Sequence, residues 1–158
     1  MRIDLIVGAR PNFIKASAIL NSCSEEQGLN WRLIHTGQHY DASMSKNFFK
    51  ELGIRTPDVN LEVGSASQAE QTGKIMTRYE RLLMQSPSDF CLVVGDVNST
   101  MACAIVAKKM ALLVGHVEGG LRSKDRNMPE EINRIVTDSI TDYFFTTSIN
   151  ANDNLVNE

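Results

Sequence analysis

Short, almost uninterrupted runs of apolar residues alternate along this chain with segments whose apolar residues recur at helical spacing. Continuous apolar runs are typical of strands that a parallel sheet buries on both faces. The runs predict strands over residues 2–8, 31–36, 59–61, 90–94, 113–117 and 143–147. The helical spacing predicts helices from Pro11, over residues 44–52, 68–84, 98–111 and 129–141, and from Ser148 onward. Strands and helices that alternate in this way predict an α/β fold, a parallel sheet with helices on both faces.

The predicted helix over residues 129–141 has a clear apolar stripe. The spacing predicts that its buried residues are Ile132, Ile135, Val136 and Ile140. Glu130 and Arg134 are four residues apart and lie nearly opposite to that stripe, which is typical of a solvent-exposed ion pair. The position of Glu130 favours a functional role instead, because the first turn of this helix follows directly on the loop after Glu118.

Acidic residues follow two of the predicted strands. Asp96 comes after the strand over residues 90–94, and Glu118 comes after the strand over residues 113–117. Either acid alone is explained as a turn former or a helix cap. The carboxyl ends of parallel strands meet at one edge of a sheet, where open α/β folds bind their ligands. Together with Glu130, these acids could shift one another's proton affinity, as general acid–base catalysis requires.

Two cations flank the start of the first predicted helix. Arg10 and Lys15 lie where free backbone N–H groups favour an anion, although two exposed cations would explain them equally well. The three histidines are spaced too irregularly to predict a metal site. His35 and His116 lie within strands and are interpreted as structural, whereas His39 lies on a loop that could contact a ligand.

Composition and charge narrow the choice of partners. A formal net charge of −3 predicts no surface for nucleic acid, so any phosphate must be bound by local groups. The length of 158 residues suits one domain, and no apolar run is long enough to span a membrane. The first residues form a strand pattern and not a signal peptide. Three widely separated cysteines, Cys23, Cys91 and Cys103, predict reduced, buried thiols in a cytoplasmic protein.

Several nucleotide-binding motifs are missing. Gly8 does not begin a G-x-G-x-x-G sequence, which disfavours a dinucleotide cofactor. Gly73 and Lys74 lie within a predicted helix and do not form a P-loop. A phosphoacceptor receiver domain would need acidic residues after the first strand, where this chain has Ala9 and Arg10.

Five segments, in order along the whole chain, resemble the UDP-N-acetylglucosamine 2-epimerase family. They are G-A-R-P-N-F-I-K (residues 8–15), T-G-Q-H-Y-D (36–41), G-D-V-N-S-T (95–100), H-V-E-G-G-L-R-S (116–123) and M-P-E-E-I-N-R (128–134). The resemblance implies one Rossmann-like half, over residues 1–158, of a two-domain fold like that of the GT-B glycosyltransferases. The half that supplies most of the nucleotide pocket would be absent.

The resemblance also implies a reaction and its residues. Non-hydrolysing members interconvert UDP-GlcNAc and UDP-ManNAc, which are precursors of surface polysaccharides, by eliminating UDP and adding it back. The catalytic acids of the family match Asp96, Glu118 and Glu130, and its cleft cations match Arg10 and Lys15. Arg122, in the fourth segment, is a further candidate for substrate binding. The resemblance implies no cofactor, a UDP-sugar as partner and a homodimer at full length; we expect these 158 residues alone to be inactive.

Details within the segments leave alternatives open. Gln38 and His39 match a loop at which bacterial members bind a second, activating UDP-sugar, but Asp41 replaces an amide often found there. The same loop resembles epimerases that act on UDP-2,3-diacetamido-2,3-dideoxyglucuronate. Val97 and Gly119 replace the family's usual Thr and Ala. A hydrolysing epimerase, a GT-B glycosyltransferase half and a noncatalytic nucleotide-sugar-binding module are the other interpretations.

Overall fold

The computed structural model describes residues 1–23, 28–37 and 55–158, and within them strands and helices alternate. The strands are β1 (Arg2–Val7), β2 (Asn30–His35), β3 (Val59–Asn60), β4 (Phe90–Val94), β5 (Leu113–Val117) and β6 (Tyr143–Phe145). The helices are α1 (Arg10–Ser22), α2 (Gln68–Gln85), α3 (Asn98–Lys109), α4 (Pro129–Ile140) and α5 (Ile149–Asn157). The predicted elements are confirmed to within a few residues, except that the predicted helix over residues 44–52 lies outside the described residues.

All six strands form one parallel sheet in the order β3-β2-β1-β4-β5-β6. The chain first moves outward from β1 to β3 and then returns to continue on the other side of β1. The strand order therefore reverses between β1 and β4, and in such sheets a crevice opens there at the carboxyl ends of the strands. The residues that follow β1, β4 and β5 lie at this crevice.

Two apolar layers, one on each face of the sheet, confirm that helices cover both faces. Phe13 and Ala16 of α1 pack with Leu5, Val7 and Leu92 on one face. On the other face α2 and α3 pack against the strands, and the layer includes Ile6, Ile34, Ile75, Tyr79, Val93, Ala104 and Ala107.

The prediction for the buried face of α4 is wrong. Its buried residues are polar, namely Glu131, Asn133, Thr137 and Asp138, whereas Ile132 is 42% exposed. Ile135, Val136 and Ile140 are only half-buried. Glu131, Asn133 and Asp138 take the inner face because groups that are distant along the chain bind them there, whereas the Thr137 hydroxyl has no hydrogen-bond partner among the described residues.

A carboxylate that is fully buried lies on β1, on the face covered by α2. Both oxygens of Asp4 accept hydrogen bonds from Arg32, through Nε and Nη2 at 2.8 Å each. The Tyr79 hydroxyl donates at 3.0 Å and the Ser88 hydroxyl at 2.6 Å. Because this charge is paired and hydrogen-bonded, it is tolerated in the core.

The cysteines are all free thiols. Cys91 and Cys103 are buried as predicted, and burial raises the pKa of Cys91 to about 12. Cys23 differs from the prediction, since it is only half-buried at the end of α1. Within the described part of the chain, no helix has both the length and the apolar character needed to cross a bilayer.

Candidate active site at the carboxyl ends of the central strands

Glu118 adopts an unusual backbone conformation at the end of β5. Its φ angle is +73°, a left-handed conformation that non-glycine residues seldom adopt and that costs on the order of 1 kcal/mol or more. The Glu118 amide donates to the Phe145 carbonyl of β6 at 2.9 Å, which holds the strand end in place. Such strained conformations concentrate at functional sites, where the surrounding structure maintains them.

Lys15 reaches this carboxylate from α1. Its Nζ lies 2.6 Å from Glu118 Oε2, and the two side chains are 38% and 22% exposed. Asn12 fixes the start of the same helix, because its side chain accepts from the Ala9 amide at 2.9 Å and donates to the Val94 carbonyl at 3.0 Å. The ammonium is therefore held at the crevice by a helix anchored to the end of β4.

Asp96, which follows β4, binds a different cation. Its Oδ2 accepts from Arg134 Nη2 at 2.6 Å and from Nε at 3.1 Å. The Asp96 carbonyl accepts from Asn133 Nδ2 at 2.9 Å. Two consecutive residues of α4 thus hold both the backbone and the carboxylate of Asp96.

The Arg134 guanidinium joins two acids and does not pair with Glu130. Its Nη1 donates to Glu131 Oε2 at 2.7 Å, and Glu131 also accepts from the Ser123 and Lys124 amides at 2.9 Å each. Burial by itself raises the pKa of Glu131, but the hydrogen bonds from Ser123 and Arg134 outweigh it and lower the pKa to about 2. Glu131 is therefore a permanently charged anchor for Arg134 and for the loop after β5.

Gly95 allows the two acidic strand ends to approach. Its φ angle is +74°, and its amide donates to the Val117 carbonyl at 3.0 Å. A Cβ at this position would lie 3.0 Å from Asn12 Nδ2 and 3.6 Å from Glu118 Oε2. The turn that leads to Asp96 and the Glu118 carboxylate are consequently neighbours at one rim.

A buried polar cluster lies directly behind this rim. His116 Nδ1 is 2.6 Å from Asp138 Oδ1, and its Nε2 is 2.7 Å from the Gly95 carbonyl oxygen. Asp138 Oδ2 accepts from the Gly120 amide at 2.9 Å and from Arg122 Nη1 at 2.7 Å. The interpretation of His116 as a structural residue agrees with this placement.

Arg122 has protein partners on both sides. Its other two nitrogens donate to the Glu158 carboxylate at 2.9 and 2.6 Å, and its side chain is 3% exposed. These hydrogen bonds, with Glu158 contributing most, raise the pKa of Arg122 above its usual value. As a substrate-binding residue Arg122 stays a prediction, since a ligand could reach the guanidinium only if Glu158 moved away.

The structure brings together only part of the predicted site. Asp96 and Glu118 lie at adjacent strand ends, and Lys15 lies against Glu118. Glu130 is half-buried on the first turn of α4, one helical turn before Arg134, and its side chain has no hydrogen bond or ion pair within the described residues. Arg10 is exposed at the start of α1. Gln38 and His39 lie outside the described residues.

His35 ends β2 close to the same edge. Its ring packs edge-on against Phe13, with centroids 5.1 Å apart, and its Nε2 is buried with no hydrogen-bond partner among the residues described. Burial lowers the pKa of His35 to about 4. His35 is therefore a neutral core residue at physiological pH, as the interpretation as a structural residue requires.

The arrangement suits proton transfer beside a departing anion. Glu118 has one close cation and partial exposure, so its carboxylate can exchange a proton with a bound molecule. Asp96 is held by a fixed guanidinium that balances its charge. Within the described residues, no group of three or more His, Cys, Asp or Glu side chains is placed to hold a metal ion.

Sequence reasoning missed the role of α4. Glu131, Arg134 and Asp138 recur at positions i, i+3 and i+7, so they share one helix face. This second, polar stripe is the signal in the sequence for these contacts. Because a polar stripe usually faces water, the pattern alone favours an exposed face.

Comparison with known proteins agrees with the segments that the sequence shares. The model of the family described as UDP-N-acetylglucosamine 2-epimerase matches residues 21–158. The chain belongs to this epimerase family. Over its whole length it is 46% identical to a UDP-N-acetylglucosamine 2-epimerase of Methanocaldococcus jannaschii and 44% identical to a UDP-2,3-diacetamido-2,3-dideoxy-D-glucuronate 2-epimerase of Pseudomonas aeruginosa.

The fold of the epimerase family is shared as well. The crystal structure of the M. jannaschii UDP-GlcNAc 2-epimerase in complex with UDP-GlcNAc and UDP matches 99% of this chain with a TM-score of 0.93 and 45% sequence identity. The chain covers 43% of that structure, and 43% and 45% of the two curated relatives. It therefore spans less than half of the length of the epimerases that it matches.

One departure from the epimerase pattern has a structural explanation. A Cβ at Gly119 would lie 2.9 Å from Phe144 Cδ1 and 3.3 Å from Asp138 Oδ1. The usual Ala would need Phe144 of β6 to shift. Nothing in the structure explains Val97 at the position where Thr is usual.

Proposed function

We propose that this chain is the N-terminal, Rossmann-like domain of a UDP-N-acetylglucosamine 2-epimerase. In the complete protein, a second domain would close over the carboxyl ends of the strands and supply most of the nucleotide pocket. The observation that carries the proposal is the placement of Glu118, Asp96 and Lys15. Acids and a cation meet at the crevice where the strand order reverses.

The proposed reaction inverts C2 of the sugar in two steps. A carboxylate removes the C2 proton, the C–H electron pair forms a C1=C2 double bond, and the C1–O bond breaks so that UDP departs. UDP then adds back to C1, and C2 regains a proton from the opposite face. Asp96, Glu118 and Glu130 are the proposed proton carriers and charge stabilisers, since carboxylates favour the positive charge that develops at C1.

Cations at the rim would hold the departing diphosphate. Lys15 lies at the crevice and Arg10 lies in the first turn of α1, where the free N–H groups of a helix also favour an anion. Gln38, His39 and Arg122 remain proposed substrate contacts on the basis of the resemblance. The proposed elimination and re-addition contain no oxidation or reduction step, so they need no redox cofactor.

Two UDP-sugars are the candidate substrates. Relatives named for UDP-N-acetylglucosamine and for the diacetamido-glucuronate match this chain with almost the same identity. We favour UDP-N-acetylglucosamine because several relatives and solved structures that match the chain carry that name. The product would serve surface polysaccharide synthesis in the cytoplasm, which the three free cysteines support, and the complete enzyme would be a homodimer.

Deuterium incorporation tests the proposal. The complete protein that carries this chain is incubated in heavy water with each UDP-sugar, and NMR measures deuterium at C2. We expect deuterium at C2 in both epimers of the substrate. We also expect UDP-N-acetylglucosamine to be turned over faster than the diacetamido-glucuronate sugar. Release of free N-acetylmannosamine and UDP would identify a hydrolysing epimerase. Binding without exchange would identify a noncatalytic nucleotide-sugar-binding module.

The isolated chain provides a second measurement. We expect residues 1–158 alone to show little or no exchange at C2, because they lack the proposed second half of the pocket. Robust turnover by these residues would contradict the two-domain proposal while leaving the reaction itself intact.

A further inference from the structure

The imidazole of His116 connects two turns and has almost no contact with water. The side chain is 1% exposed. Its Nε2 lies 2.7 Å from the carbonyl oxygen of Gly95, just before Asp96. Its Nδ1 lies 2.6 Å from Asp138 Oδ1. Both ring nitrogens are thus in short contact with an oxygen atom.

The Asp138 carboxylate also binds the loop after β5. Its Oδ2 accepts from the Gly120 amide at 2.9 Å and from Arg122 Nη1 at 2.7 Å. Glu158 pairs with Arg122 from the opposite side. Beyond Gly95 and at the end of β5, Asp96 and Glu118 pair with Arg134 and Lys15.

His116 and Asp138 each contact one of the two turns that carry Asp96 and Glu118. His116 holds the Gly95 carbonyl, and Asp138 holds the amide of Gly120, two residues after Glu118. We propose that His116 and Asp138 are a positioning pair that fixes the turns carrying Asp96 and Glu118 relative to each other. The inference rests on the proposed function only for its effect on turnover.

Two amide variants separate positioning from general stability. The side-chain amide of His116→Gln can reach the Gly95 carbonyl, whereas that of His116→Asn reaches only Asp138. We expect the backbone amide signals of Gly95, Asp96 and Gly120 to shift more in His116→Asn, and kcat of the complete enzyme to fall about tenfold further than in His116→Gln, with KM unchanged.

The measurements distinguish failure of the proposed function from failure of the positioning role. If the wild-type protein turns over neither UDP-sugar, the proposed function fails, and the shifts of the backbone amide signals still decide whether His116 and Asp138 are a positioning pair. If both variants lose equal turnover and leave the amide signals of Gly95, Asp96 and Gly120 unmoved, the pair does not position the acids.

Discussion

Lys15 Nζ lies 2.6 Å from Glu118 Oε2, and this contact joins the beginning of α1 to the end of β5. The two residues are separated by 103 positions along the chain. Both side chains remain partly exposed, and the Glu118 backbone is left-handed. An ion pair in such a place contributes little to stability, about 1 kcal/mol or less, so its position at the crevice favours a functional role.

Glu118→Gln tests that role. We expect kcat of the complete enzyme to fall by about 10²- to 10⁴-fold, because the amide cannot carry the C2 proton or balance charge at C1. Urea unfolding should change by about 1 kcal/mol or less. Glu80→Gln, on the exposed side of α2, is the matched control and should leave both quantities unchanged. Wild-type turnover in Glu118→Gln would remove this acid from the mechanism.

Asp96 depends on the planar guanidinium of Arg134. Arg134→Lys keeps the charge but cannot bind Asp96 and Glu131 together, so we expect kcat to fall by about tenfold or more. Asp96→Asn should reduce turnover further, by about 10²-fold or more, while the domain still folds. Arg81→Lys, on the exposed face of α2, is the control substitution. Equal kcat values for Arg134→Lys and the control would show that turnover does not need the contacts of Arg134 with Asp96 and Glu131.

The lowered pKa of His35 predicts that the folded chain loses stability in mild acid. Its pKa is about 4 in the folded chain and about 6.5 when unfolded, so the unfolded state binds the extra proton between these values. Stability should therefore fall as pH drops from 6.5 toward 4, by about 2 kcal/mol from this group at pH 5. In His35→Phe that component should vanish. Urea unfolding of both proteins at pH 7.5 and pH 5 measures it, and a constant difference between them would contradict the prediction.

The buried carboxylate of Asp4 predicts a large effect far from the crevice. Asp4→Ala leaves the Arg32 guanidinium without its partner, which should cost about 3–5 kcal/mol of unfolding free energy. Tyr79→Phe removes one hydrogen bond to the same carboxylate and should cost about 1 kcal/mol. Lys74→Ala, which breaks the exposed pair with Glu70, should cost less than about 1 kcal/mol. Equal losses in all three variants would mean that burial does not decide these contributions.

The sequence by itself was enough to determine the α/β alternation, the parallel sheet and the location of Asp96 and Glu118 at strand ends. Apolar runs and helical spacing are local properties, and parallel strands necessarily gather their carboxyl ends at one edge. The shared segments added the family and the proposed roles of the acids. The strand that precedes Glu118 was predicted with the bounds that it has in the structure, residues 113–117.

Only the tertiary structure decided how α4 is oriented and which charges pair. The helix has an apolar and a polar stripe, and periodicity predicts both without saying which one turns inward. Its polar stripe is buried because the amides of Ser123 and Lys124 bind Glu131 and because His116 and Arg122 bind Asp138. Arg134 likewise binds Asp96, 38 residues away, and not Glu130 one turn before it. Such partners are distant in sequence, so no local pattern of residues encodes them.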